Sequence, residues 1–187
     1  LSTWINPKDD NDISIYVLKL FYTMMKYMRE SISDILSYLK DFQEDIIAIS
    51  KKDNPSIISL SYKILSSIIP TCSSTILKLS NSESDFFQII LGNIENGEFC
   101  LRKSAIRLTN TLMRYGSFYQ EINEFYSIEF INVISNLLYS DSLKLNLYAL
   151  KALDMIAQRA ASENIDELIF AFCDQNIIET FDYLSTK

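Results

Sequence analysis

Apolar residues recur along most of this 187-residue chain in three- and four-residue steps, which places them on one face of a helix. The pattern is clearest between Ser127 and Ala161. Ile131, Ile134, Leu137 and Leu138 mark one helix, and Leu145, Ala149, Ala152, Leu153 and Ile156 mark a second. Tyr139-Ser140-Asp141-Ser142 interrupts them. Ser140, Asp141 or Ser142 can cap the second helix, because each side-chain oxygen can accept a bond from an orphan N–H of the first turn. The same spacing predicts helices over about 11–30, 31–40, 41–51, 56–69, 73–79, 86–95, 98–115, 118–126, 164–173 and 175–184. Asn54-Pro55 reads as a stop and start, with proline near the first helical position. Gly116 reads as the end of a long helix.

Shifted by 44 residues, the chain falls on itself. Val17, Ser61, Ala105 and Ala149 share a column. So do Ile13, Ile57, Leu101 and Leu145; Leu20, Ile64, Leu108 and Ala152; and Met24, Ile68, Leu112 and Ile156. In the preceding helix Phe42, Phe86 and Phe130 align, as do Ile46, Ile90, Ile134 and Ile178. A helical period of about 40–47 residues resembles the armadillo/HEAT repeat family. The stretch Ala149-Leu150-Lys151-Ala152-Leu153-Asp154-Met155-Ile156-Ala157 is similar to the family's long-helix motif, Ala-x-Trp-Ala-Leu-x-Asn-Ile-Ala.

The resemblance implies an all-α fold: a right-handed superhelical solenoid of three-helix, armadillo-like repeats of period 44. It spans 1–187 as a single domain, with a partial repeat at 1–30, repeats at about 31–72, 73–116 and 117–161, and a partial repeat at 162–187. The chain opens on Leu1 and cuts a repeat at each end, so it reads as a fragment of a longer protein. Apolar residues of the last helix, Ile177, Ile178, Phe181 and Leu184, are expected to be covered by further chain or by self-association.

Composition narrows the function. The chain is 48% hydrophobic with three Gly and three Pro, too apolar for disorder. Net charge is −7, which disfavours a general nucleic-acid role because phosphate backbones are repelled. Histidine is absent from the sequence, and with it the commonest general base and metal ligand. No phosphate-binding glycine loop, nucleophile elbow or metal-ligand spacing occurs, so the chain reads as a non-enzyme without metal or cofactor. Cys72, Cys100 and Cys173 are odd in number and widely spaced, as expected of structural thiols in a reducing compartment, the cytoplasm or nucleus. No apolar run is long enough to span a membrane.

One column is basic. Lys19, Lys63, Arg107 and Lys151 stand 44 residues apart in an acidic protein. Lys26 and Arg114 follow seven residues after Lys19 and Arg107, about two helical turns on and therefore on the same face. In armadillo proteins the long helices line a concave groove, and the basic column occupies the position of the tryptophans that hold basic peptides in importin alpha. The resemblance therefore implies a groove closer to that of beta-catenin, whose ligands are acidic. Tyr16, Tyr148 and Met155 would add apolar anchors. The expected function is a protein-interaction module that takes an extended or acidic protein segment in its groove. Two alternatives are a purely architectural segment of a larger scaffold and a regulatory subunit that positions a kinase or small GTPase. The plain physical alternative for the column is solvated lysine, whose stem covers apolar surface. A second candidate surface is the aromatic group Tyr115, Phe118, Tyr119, Phe125 and Tyr126, otherwise read as core between repeats.

Overall fold

The computed structural model describes residues 11–38, 41–51, 53–72, 74–81, 86–116 and 120–174. These residues are all-α, and no strand occurs among them. The helices are α1 (Asn11–Tyr27), α2 (Ile32–Tyr38), α3 (Phe42–Ile49), α4 (Pro55–Ile68), α5 (Ser74–Asn81), α6 (Phe86–Asn96), α7 (Phe99–Tyr115), α8 (Ile128–Leu137), α9 (Leu143–Glu163) and α10 (Asp166–Asp174). Short 3-10 segments, Arg29–Ser31 and Gln120–Phe125, precede α2 and α8.

The helix ends follow local chemistry. Asn54 Oδ1 accepts from the backbone N–H groups of Ser56 (3.0 Å) and Ile57 (3.2 Å), with Pro55 at the first helical position of α4. Ser127 caps α8 by accepting from Phe130 N–H at 3.2 Å. Of the three candidate caps before α9, Ser142 takes the role by accepting from Leu145 N–H, while Ser140 braces it by accepting from Ser142 N–H. The C-terminal end of α9 turns through Asn164, a left-handed residue at φ 53°. Asparagine is one of the few side chains to visit that region readily. Gly116 ends α7 without a left-handed turn; a Cβ there would lie 2.7 Å from Leu112 O.

The long helices pack in chain order, α1 against α4, α4 against α7 and α7 against α9. The shorter helices α3, α6 and α8 pack against α4, α7 and α9 respectively. The core lies between these two rows. Phe42, Phe86 and Phe130 are all buried there, with Ile46, Ile90 and Ile134 one turn further on. The ring contacts run on as a chain: Tyr62–Phe86, Phe86–Phe87, Phe87–Phe125 and Phe125–Phe130, with centroids 5.2–6.3 Å apart. Each such ring removed from water contributes about 1.5–3 kcal/mol before the cost of ordering it. No helix among the described residues is long and apolar enough to cross a membrane.

The expected columns hold in α4, α7 and α9 and slip in α1. Ile57, Ser61, Ile64 and Ile68 are buried, as are their counterparts in α7 and α9. In α1, however, Leu20 is 61% exposed and Ile13 55% exposed, while Val17 and Met24 are only partly buried. The buried set is Ser14, Leu18 and Met25, with Phe21 partly buried, one residue later than expected. The offset from α1 to α4 is thus 43 (57 minus 14), against 44 between the later copies. Helix α1 carries apolar residues nearly all round, so two adjacent stripes compete. The later stripe buries Leu18 and Met25 fully and brings Phe21 onto Phe42, with ring centroids 5.0 Å apart. The expected apolar helix surface at Ile177, Ile178, Phe181 and Leu184 lies outside the described residues.

Two outcomes test this core. Leu108→Ala should cost about 2–5 kcal/mol in urea unfolding, because the site is sealed. Leu20→Ala should change stability by less than about 0.5 kcal/mol. The second outcome concerns Tyr62, whose hydroxyl accepts from Asn93 Nδ2 at 2.9 Å. Burial pushes this phenol well above the tyrosine range, and the Asn93 bond opposes it only in part. The neutral ring therefore stabilises the fold fully below the unfolded-chain tyrosine pKa of about 10, and that stability is lost as pH rises further. Urea titrations at pH 8 and pH 11 should show a smaller alkaline loss in Tyr62→Phe than in the parent chain.

Candidate functional site

The long helices bury two flanks against one another and a third side against the short-helix row. Their remaining face carries the basic residues. On α7 this places Arg107 and Arg114, and on α9 Lys151, along the edge of a cleft of about 1210 Å³. Tyr148 and Met155 of α9 lie on its wall, with Pro70 beyond the end of α4 and Tyr126 ahead of α8. Five of the nine residues expected to line the groove thus come together here: Arg107, Arg114, Lys151, Tyr148 and Met155. Asn110 ties the two helices beneath it, donating from Nδ2 to Tyr148 O at 2.9 Å.

Lys19, Lys63 and Tyr16 line a second, smaller cleft of about 340 Å³ where α1, α4 and α7 meet. The one-residue slip of α1 takes Lys19 out of the repeat column, since its counterpart at 43 residues is Tyr62. Lys19 lies over its own neighbour's ring, 5.3 Å from the Tyr16 centroid. Asp12 and Glu98 also edge this cleft, so its charge is mixed. Lys26 lines neither cleft and rests over Tyr27. Arg107 stands between the two. Its Nη1 donates to Tyr22 OH of α1 at 3.3 Å, passing over α4.

Among the residues of the larger cleft that the repeat pattern did not single out are Arg159 and Tyr126. Arg159 lies 4.2 Å from the Tyr126 ring centroid, a cation–π distance, and donates from Nε to Glu163 Oε1 at 2.9 Å. Its Nη1 is buried without a partner. Burial raises the Tyr126 phenol pKa, and the Arg159 charge acts against that rise. Asn110 Oδ1 is the second buried polar atom without a partner here. Arg159 falls outside the basic column, but its position one turn before Glu163 was readable as a helical ion pair.

None of Arg107, Arg114 and Lys151 forms an ion pair with a carboxylate among the described residues. Two carboxylates also edge the cleft: Glu163 pairs with Arg159, and Asp154, which keeps its charge, accepts from Gln158 at 3.0 Å. The aromatic group divides. Phe125 is core, Tyr126 forms cleft wall and Tyr115 is 40% exposed at the rim, while Phe118 and Tyr119 lie outside the described residues. Among the described residues no group of three or more Cys, Asp or Glu side chains could hold a metal ion. Compared with known proteins, the chain matches no family model, no curated protein and no solved structure.

Proposed function

We propose that this chain is a non-catalytic protein-interaction module, a right-handed superhelix of armadillo-like repeats whose α7–α9 cleft takes an extended, acidic segment of a partner protein. One observation carries the reading: in a chain of net charge −7, three cations converge on one cleft with no carboxylate paired to them among the described residues. Like charges held on adjacent helices repel, and an incoming run of carboxylates relieves that repulsion. The cleft exceeds the usual 300–1,000 Å³ of small-molecule sites, which suits a length of chain. Solvated ion pairs contribute only about 0–1 kcal/mol each. Affinity therefore depends also on an apolar side chain of the partner against Tyr148 and Met155, worth about 1.5–3 kcal/mol when buried.

A fluorescent Glu-rich peptide with one central leucine is the probe. Its anisotropy should report binding that weakens steadily as salt rises. The Arg107→Glu/Lys151→Glu double variant should lose more than about tenfold in affinity, since two attractions become repulsions and about 1.4 kcal/mol is tenfold. Its helical circular dichroism should match the parent. If binding survives the double reversal, the basic edge formed by Arg107 and Lys151 is not the site.

The exposed stripe Ile13, Tyr16, Leu20 and Tyr27 along α1 favours a second reading, an architectural segment that packs this face against another chain. Peptide binding with a normal salt response and no effect of Leu20→Glu on assembly would decide against it.

A further inference from the structure

Cys72 lies between α4 and α5, where its carbonyl accepts from Thr75 N–H at 3.1 Å in the first turn of α5. Cys72 is partly buried. Polar groups converge on it from two helices. Gln43 of α3, itself 92% buried (8% exposed), places Nε2 at 3.3 Å from Sγ. The Ser74 hydroxyl lies at 3.1 Å. Fully buried Thr75 stands beside them. Its Oγ1 meets no partner of strict hydrogen-bond geometry, and neither does Gln43 Oε1 on the amide that touches the sulfur.

A neutral thiol meets this surround only weakly: its S–H can donate to Ser74 Oγ while its sulfur, a poor acceptor, takes the bond from Gln43. The amide nitrogen of Gln43 can only donate, and the single S–H can serve only one acceptor. A thiolate accepts from Gln43 and Ser74 together and offers Thr75 the acceptor it lacks. Partial burial by itself raises the thiol pKa. The polar groups of Ser74, Gln43 and Thr75 around the sulfur outweigh it, and the thiol is drawn below its ordinary range. Cys100 and Cys173 are exposed, and no hydrogen bond to either sulfur occurs among the described residues.

We propose that Cys72 is a modification site, where a hydroperoxide converts the thiolate to a sulfenic acid that Gln43 and Thr75 then hold. The sulfur attacks the peroxide's terminal oxygen. An S–O bond forms as the O–O bond breaks, and the leaving hydroxide or alkoxide takes a proton from water. Sulfur gives up two electrons, and the peroxide is reduced by them. The new S–O–H group needs an acceptor for its proton and can accept one bond at its oxygen. Thr75 Oγ1, orphaned and fully buried, can donate to that oxygen, and the Gln43 amide, already touching the sulfur, can turn its orphaned Oε1 to accept the proton.

The test treats the full chain with hydrogen peroxide at pH 7, traps sulfenic acid with dimedone and reads each cysteine by peptide mass spectrometry. Cys72 should be trapped several-fold faster than Cys100 and Cys173, although both are more exposed. Ser74→Ala, an exposed change that spares the fold, should slow trapping at Cys72 alone, and Gln43→Leu should slow it further. Should Gln43→Leu unfold the chain, the pH profile of iodoacetamide alkylation in the parent decides: the midpoint for Cys72 should lie below that for Cys100. Trapping at Cys72 no faster than at Cys100, or a midpoint at or above that of Cys100, overturns the proposal.

Discussion

Helices approach one another most closely where the facing residues are small. In this chain Ser61, Ala105 and Ala149 are such residues, one each on α4, α7 and α9 and all fully buried. Small side chains at this position suit the packing of α4 on α7 and of α7 on α9. Everything else follows from that approach. The phenylalanines of the short-helix row fill the space behind, and the polar face in front is brought together from several helices.

The close stack explains an unusual core. Helix α4 buries Ser59, Ser61 and Ser66 among its isoleucines and leucines. Ser61 and Ser66 turn their hydroxyls back onto the carbonyls four residues earlier, at 3.0 and 2.7 Å. Thr109 and Ser135 do the same in α7 and α8. Ser59 instead donates to Cys100 O of the neighbouring helix at 3.2 Å. A hydroxyl satisfied in this way is a small spacer with no uncompensated polar atom, so it can sit where alanine would. Arg107, Arg114 and Lys151 gather on the face of α7 and α9 that these packings leave open. The electrostatics of the cleft is a by-product of how the other three sides are packed.

Much of this was legible in the chain. The Phe42/Phe86/Phe130 and Ile46/Ile90/Ile134 columns are strict because both rows of helices press on them, and strict burial leaves a strict pattern. The break at Asn54-Pro55 and a cap among Ser140, Asp141 and Ser142 were readable because capping is a local interaction, and the structure gives the roles to Asn54 and Ser142. The register of α1 was not. Ile13, Val17, Leu20 and Met24 compete with Ser14, Leu18, Phe21 and Met25, and only the meeting of Phe21 with Phe42, 21 positions apart in sequence, decides between them. The basic column pointed to Arg107, Arg114 and Lys151, which do share a cleft. It could not reveal Arg159 or Tyr126, which meet across a turn of chain and carry no repeat signature. Nor could it reveal that Gln43 and Cys72, 29 residues apart, would touch.

The bond from Arg107 to Tyr22 joins residues 85 apart and skips the helix between them. One guanidinium is thereby claimed from two directions. An anion that draws Arg107 into the α7–α9 cleft takes it from Tyr22, and whatever fixes Tyr22 in its present place withholds Arg107 from the anion. Linkage makes the two effects equal in free energy, whichever comes first. The first long helix, though it contributes nothing to the larger cleft, is therefore a competitor for one of its charges.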